Sequence, residues 1–176
     1  MPPRFFFDVT TEAPAGVADV LAAFSDKDYW LARLEAYGGD SMTLDSLVVV
    51  ADGTVVVRTS QDLRQDMLPG GIARMLPGDT TIMRTETWRA VGDDAGGEAH
   101  GDFTISARGG VPSSGGAGTM VLEPSTAGSS LLRIRGSLEV RIPVVGGRIE
   151  RYVVDLIAKE VPQMQRFTAE WIAGKA

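Results

Sequence analysis

Residues 146–171 read GGRIERYVVDLIAKEVPQMQRFTAEW, and this stretch decides the fold. If it is one helix, with about 100° between successive residues, one of its faces is apolar. That face carries Ile149, Val153, Leu156, Ile157, Met164, Phe167 and Trp171. The opposite face carries Arg151, Asp155, Lys159, Arg166 and Glu170. The pattern predicts a long C-terminal helix that packs on a sheet. Glu160 within the apolar face predicts a partly hydrated cavity beneath the helix.

The composition of the chain excludes several kinds of site. A formal net charge of -6 and a pI near 4.8 argue against general nucleic-acid binding, because that binding depends on Lys and Arg contacts with phosphates. The chain has no cysteine and one histidine, which excludes thiolate sites and any site that needs two imidazoles. We therefore expect no metal ion and no cofactor.

The length and hydropathy of the chain predict its organisation. Its 176 residues show no strong break in composition, which predicts a single domain over residues 1–176. Residues Met1–Phe7 lack the apolar core of a signal peptide, and no run of about 18 apolar residues occurs. The sequence thus predicts no membrane insertion and a cytoplasmic location.

The N-terminal part predicts one strand followed by two short helices. Arg4–Thr10 is rich in aromatic and β-branched residues, as strands are. A helix is expected to open at Pro14. A second helix should begin after Ser25-Asp26, whose side chains suit an N-cap, and end at Gly38-Gly39.

The middle of the chain predicts consecutive antiparallel strands. Residues 41–64 alternate in polarity around Asp52-Gly53, a strong hairpin signal. Further strands are predicted at Thr80–Val91, Glu98–Arg108, Thr119–Glu123 and Ser130–Ile142. A long hairpin loop is predicted over the glycine-rich Gly109–Gly118. Strands joined by short turns indicate an antiparallel meander and an α+β fold.

Three motifs accompany this order of elements: Thr85-Glu-Thr-Trp88, Ile142-Pro-Val-Val-Gly-Gly-Arg-Ile-Glu150 and Phe167-Thr-Ala-Glu-Trp171. The order of elements resembles the helix-grip fold of the START-like (SRPBCC) superfamily, which includes the birch-pollen allergen and polyketide cyclases. The motifs look like those of an actinobacterial family of unknown function within it. The resemblance implies a curved antiparallel sheet of six to seven strands around the C-terminal helix, with a hydrophobic cavity between them. It implies no single activity, because such folds host carriers, cyclases, hydrolases and receptors.

Charged residues lie in the strand that holds the first motif. Alternation places Arg84 and Glu86 on the same face as Ile82 and Trp88, which favour the covered, concave side. A buried charge needs a partner or trapped water. We hypothesise that Arg84, Glu86 and Glu160 form a polar cluster that fixes the polar end of a ligand. The alternatives are a β-bulge that turns both strand residues into solvent, or two charges that only neutralise each other.

The position of Glu160 depends on the shape of the helix. Pro162 follows two residues later, and proline usually bends a helix. Glu160 therefore either faces the cavity or lies at its margin and reaches water. In the cavity, desolvation would raise the pKa of Glu160 and make it a general acid or a hydrogen-bond donor.

A repeated tetrapeptide lies between two predicted strands. Met67-Leu-Pro-Gly70 and Met75-Leu-Pro-Gly78 bracket Ile72. Exposing two Met-Leu pairs is costly, so this segment is predicted to form a lid over the cavity mouth. The alternative is an ordinary packed loop that closes the edge of the core.

These patterns favour a non-catalytic binder or carrier of a small hydrophobic or amphipathic molecule, such as a lipid, a polyketide-like aromatic or an isoprenoid. The expected ligand-binding residues are Arg84, Glu86, Trp88, Glu160, Ile157, Met164, Met67, Leu68, Ile72 and Met75. One alternative is a cyclase- or hydrolase-like enzyme in which Glu86 or Glu160 acts as acid or base. Another is an interaction module whose cavity is filled by its own side chains and whose Met-Leu pairs contact a partner protein.

Overall fold

The computed structural model describes residues 5–63, 71, 74, 80–92, 97–109 and 114–175. Within them, two short helices follow the first strand, and a long helix follows the last strand. The elements are β1 (Phe5–Ala13), α1 (Val17–Phe24), α2 (Lys27–Gly38), a 3-10 turn (Gly39–Ser41), β2 (Met42–Val49), β3 (Val55–Leu63), β4 (Thr80–Val91), β5 (Glu98–Gly109), β6 (Gly115–Pro124), β7 (Ser130–Glu139) and α3 (Gly146–Lys175).

The described strands form one curved, seven-stranded sheet. Their spatial order is β1-β7-β6-β5-β4-β3-β2, and every neighbouring pair is antiparallel. Helix α3 packs along β1 and also contacts α1, α2 and β7. This is the predicted α+β helix-grip architecture, and the structure confirms it.

Helices α1 and α2 close one end of the sheet through an aromatic core. The Asp26 carboxylate accepts a hydrogen bond from the Asp28 amide at 2.9 Å, as expected of an N-cap. The Phe24 ring lies 5.1 Å from the Trp88 ring of β4. The Trp30 indole donates to the Phe24 carbonyl at 2.7 Å, so the two helices are held together over the sheet.

Helix α3 runs without interruption through Pro162. The predicted polar face is exposed at Arg151, Asp155, Lys159, Arg166 and Glu170. Its buried side chains include Val161, Gln165 and Thr168, which the apolar pattern did not contain. Thr168 Oγ1 lies 2.6 Å from the Tyr29 hydroxyl of α2, a hydrogen bond that joins the two helices.

The predicted loop over Gly109–Gly118 is wrong for residues 115–118, which begin β6; residues 110–113 lie outside the described part of the chain. Glycine is a poor strand residue, but here a row across the sheet requires it. Gly118 pairs with Phe103 on one side and with Gly136 on the other, and Gly136 pairs with Phe7. The Phe7 and Phe103 rings fold over the two glycines, with centroids 6.1 Å apart.

Gly136→Ala should lower the free energy of unfolding by about 1–2 kcal/mol, as overpacking of a core does. A Cβ at this position would lie 2.8 Å from both phenyl rings and from the Ala117 carbonyl oxygen. Gly147→Ala is the matched control, because no atom lies within 4 Å of its added Cβ and alanine favours the helix. Denaturant unfolding of both variants checks this, and equal stability of the two would contradict the packing described.

Candidate functional site

Two charged residues of β4, Arg84 and Glu86, face the concave side of the sheet. The pairing of β4 with β3 and with β5 has no register shift, whereas the irregularity lies in β2 between Leu44 and Ser46. Glu86 is 8% exposed and Trp88 is 2% exposed. Glu86 lies between Val57 and Phe103 of the adjacent strands, so its carboxylate is buried among apolar neighbours.

Three cavities lie between this face of the sheet and the helices. Their volumes are about 70, 30 and 20 Å³, and all three share Arg33, Glu86 and Met164 as walls. The first is lined by Phe7, Arg33, Arg84, Glu86, Phe103, Ile105, Met120, Ile134, Ile157, Glu160, Val161 and Met164. A water molecule needs about 10–15 Å³ by this measure, so the first cavity holds several waters or part of a small molecule.

Arg33 is a site residue that the sequence reasoning missed. From α2, its guanidinium lies 4.8 Å from the centre of the Trp30 ring and donates to the Tyr29 hydroxyl at 3.3 Å and to Met164 Sδ at 3.2 Å. Burial alone would lower the pKa of Arg33, but its proximity to Tyr29 and Glu86 raises it above the ordinary value. Arg33 is therefore a permanent cation fixed at the junction of the cavities.

The charged groups of the site form two attractive pairs of opposite sign. Arg33 lies close enough to Glu86 for a coulombic attraction, and Arg84 is likewise attracted to Glu160. Among the described residues no hydrogen bond reaches the Glu86 carboxylate. Electrostatic attraction to Arg33, rather than a direct contact, therefore offsets part of the free-energy cost of burying this carboxylate. The arrangement gives an apolar cavity two cations and two carboxyl groups.

Glu160 lines the largest of the three cavities despite Pro162. Burial raises the pKa of Glu160 above 4.5, while Arg84 and Lys159 oppose the shift. A carboxyl group in this state donates a hydrogen bond more readily than an exposed one.

Glu160→Gln should stabilise the protein near neutral pH. Because the folded pKa is raised, the folded chain binds more protons than the unfolded chain between pH 4.5 and the raised value, and stability falls as pH rises through that window. Glu160→Gln does not lose stability in this way. The difference in stability between the variant and the parent protein should therefore grow as the pH rises through the window and stay constant above it. Thermal unfolding from about pH 4 to about pH 8 measures the difference.

Glu170→Gln is the control for this experiment, since Glu170 is exposed on the outer face of the same helix. Its melting temperature should follow that of the parent protein at every pH. A Glu160→Gln difference that does not change with pH would contradict the burial of Glu160.

The seven other predicted site residues either line the cavities or lie outside the described part of the chain. Ile157 lines the first cavity, Met164 lines all three, and Trp88 lines the second. Met67, Leu68, Ile72 and Met75 lie outside the described residues, as does the rest of the predicted lid apart from Gly71 and Arg74.

Across 5–63, 80–92, 97–109 and 114–175, the His, Cys, Asp and Glu side chains do not gather in threes as metal ligands. None of the helices in the described part of the chain combines the length and the apolar run needed to cross a membrane.

The order of the elements and the antiparallel sheet define a START-like, helix-grip fold. A START superfamily protein from Mycobacterium smegmatis superposes with a TM-score of 0.55, at 10% identity, over 95% of this chain and 98% of that chain. A human lipid transfer and protein localization domain superposes with a TM-score of 0.52, at 15% identity, over 91% of this chain and 75% of that chain. At these identities the likeness establishes the fold alone.

The chain belongs to the family described as "Protein of unknown function (DUF2505)", whose model matches residues 8–172. An uncharacterized protein of Mycobacterium tuberculosis is 35% identical over 175 residues, covering 96% of this chain and 97% of the relative. This confirms the resemblance to an actinobacterial family of unknown function, and the fold of the chain is START-like.

Proposed function

We propose that this protein binds or carries a small amphipathic molecule in the space between the sheet and α3. The observation that supports this most is a cavity of about 70 Å³ whose walls are mainly aromatic and aliphatic but include Arg33, Arg84, Glu86 and Glu160. Apolar walls with a few convergent polar groups are typical of small-molecule sites. The apolar part of the ligand contacts the phenyl rings and aliphatic chains, and its polar end meets the charged cluster.

The polar cluster fixes the orientation of the ligand in this proposal. Arg84 and Glu86 project from a strand whose pairing is continuous on both sides, and Arg33 is held by three contacts. Groups held this rigidly lose little entropy when a ligand arrives, which favours specific binding. The lipid, polyketide-like and isoprenoid classes share the required chemistry of an apolar body with an oxygen-bearing end.

Binding of ethylbenzene tests the proposal, because this probe has apolar surface and no hydrogen-bonding group. In protein labelled with ¹³C at the methionine methyl groups, nuclear Overhauser contacts from the probe should reach Met120 and Met164, which line the cavity. Met83, on the opposite face of β4, should give none. Contacts to Met83 alone, or to no methionine, would refute an internal site.

A cyclase- or hydrolase-like activity is a second candidate, and the raised pKa of Glu160 inside the cavity is the observation that favours it. The two functions differ in what Glu160→Gln does. A carrier with this substitution still binds its ligand and never converts it. An enzyme binds the ligand in both forms, but only the parent protein changes the ligand's mass with time.

A further inference from the structure

A strained turn between β7 and α3 carries an exposed valine. The backbone at Val144 has φ 73°, in the left-handed region that β-branched residues rarely adopt. The Val145 amide donates to the Pro143 carbonyl at 2.9 Å, and this bond with that φ is typical of the rare, strained form of the γ-turn. Val144 is 98% exposed, more than any other large apolar residue in the described part of the chain.

The residues around this γ-turn hold it in place. The Val140 amide donates to the Glu150 carboxylate at 2.7 Å, and Glu150 is buried. The Gly146 amide donates to the Ile142 carbonyl at 2.9 Å. Val140 and Ile142 also pack against Ile149 in a small apolar cluster. These contacts keep the strained backbone from relaxing, so the valine at the tip of the turn is held outward. Strain of this kind is often found where a protein makes functional contacts.

The surface beside the γ-turn is basic, although the chain has a net charge of -6. Arg141 precedes the turn, Arg148 and Arg151 follow it in α3, and all three are exposed. Glu150 lies among them but is buried. Glu139 pairs with Arg141 at 3.0 Å, whereas Arg148 and Arg151 have no ion pair among the described residues.

An apolar tip beside exposed arginines fits the surface of an anionic bilayer. Each arginine near acidic headgroups raises the affinity about fivefold. An apolar side chain gains free energy when it leaves water for the boundary between headgroups and acyl chains. A stable protein interface needs about 800 Å² on each partner, but the apolar surface here is one side chain at the tip of a turn. The shape and the charge therefore favour a bilayer over a protein partner.

We propose that the γ-turn at Val144 and the arginines beside it dock this protein peripherally on membranes that contain anionic lipids. The valine side chain enters the headgroup layer, and Arg141, Arg148 and Arg151 contact lipid phosphates. The net charge of -6 opposes contact through other faces, so docking fixes the orientation of the protein on the membrane. This inference is independent of the proposed function, because it uses no residue that lines the cavities.

Co-sedimentation with lipid vesicles tests the docking. The parent protein should bind mixed vesicles of phosphatidylcholine and phosphatidylglycerol at least about tenfold more tightly than vesicles of phosphatidylcholine alone, and salt should weaken this binding. Arg148→Gln should lower the affinity for mixed vesicles about fivefold. Arg166→Gln is the matched control, since Arg166 is exposed near the other end of α3, and it should keep the affinity of the parent protein.

Val144→Gly separates docking from folding. Glycine adopts a φ of 73° without strain, so the stability of the variant should be unchanged or higher. Its affinity for mixed vesicles should fall about fivefold or more, because the apolar side chain is lost. Val49→Gly is the control, since Val49 is a half-exposed valine of β2 far from the γ-turn in the sheet, and it should bind mixed vesicles as the parent protein does.

Selective binding of mixed vesicles that Val144→Gly and Arg148→Gln both weaken, with both controls unaffected, supports the docking surface. A parent protein that binds neither kind of vesicle, or both kinds equally, overturns it. Parental affinity in Val144→Gly or Arg148→Gln, or an equal loss in their controls, also overturns it. Binding of ethylbenzene in the cavity does not depend on these results, so failure here leaves the proposed function standing.

Discussion

Arg33→Met should lower the free energy of unfolding by about 2–3 kcal/mol, because it leaves a buried carboxylate without its cation. Methionine keeps the apolar stem of the side chain against Trp30, so the loss reports charge rather than packing. Glu86 is 8% exposed and pairs with Val57 and Phe103 of the adjacent strands, so its carboxylate stays largely buried when the guanidinium is removed. Denaturant unfolding at neutral pH measures the change.

The double variant Arg33→Met/Glu86→Gln is the matched control. Removing both charges from a buried site is often nearly neutral, whereas removing one is not. The double variant should therefore recover most of the stability that Arg33→Met loses. If the two substitutions add independently, Arg33 and Glu86 do not form the coupled pair described above.

Val161→Trp should reduce the affinity for ethylbenzene by about tenfold or more, equivalent to 1.4 kcal/mol. Val161 lies on α3, is buried, and lines the first and second cavities. An indole ring in its place occupies the space that the probe requires. The substitution also costs about 1–3 kcal/mol through overpacking, so folding is verified from the indole resonances before titration.

Ala158→Trp is the control for this change, since it adds the same indole ring on the exposed face of the same helix. Its affinity for ethylbenzene should equal that of the parent protein. Unchanged binding in Val161→Trp would place the probe somewhere other than between the sheet and α3.

Much of the fold follows from local sequence signals. The span of β4 was predicted at its observed bounds, because Thr80–Val91 is rich in β-branched residues and is followed by the turn residues Gly92-Asp93-Asp94. The loop predicted over Gly109–Gly118 was wrong for residues 115–118 for a physical reason. Glycine there provides room for Phe103 on a neighbouring strand, and this tertiary requirement leaves no local signal.

Residues of the candidate site were predictable from the sequence only where the periodicity of a single strand or helix fixes the direction of the side chain. Periodicity placed Arg84 and Glu86 on one face of a strand and Glu160 on one face of a helix, and all three line the first cavity. Arg33 could not be found in this way, since a lone arginine on a short helix resembles a solvated residue. Its place became evident only once α2 was packed against Met164 of α3.

Gln165 is a second buried residue that the sequence pattern did not identify. The apolar pattern of α3 passed over it because glutamine counts as polar, although its side chain is 3% exposed. Pro162 lies three residues earlier, yet the helix continues through it. A buried polar residue in the second half of a helix is recognisable only from the side chains that surround it.

Native mass spectrometry of the protein purified without organic extraction tests the central claim most directly. The account predicts a non-covalent adduct of definite mass and one-to-one stoichiometry on the parent protein and on Ala158→Trp. The same adduct should be missing from Val161→Trp, in which the cavity is filled. Bare protein mass in all three samples, or an adduct that Val161→Trp retains, would contradict a ligand held between the sheet and the C-terminal helix.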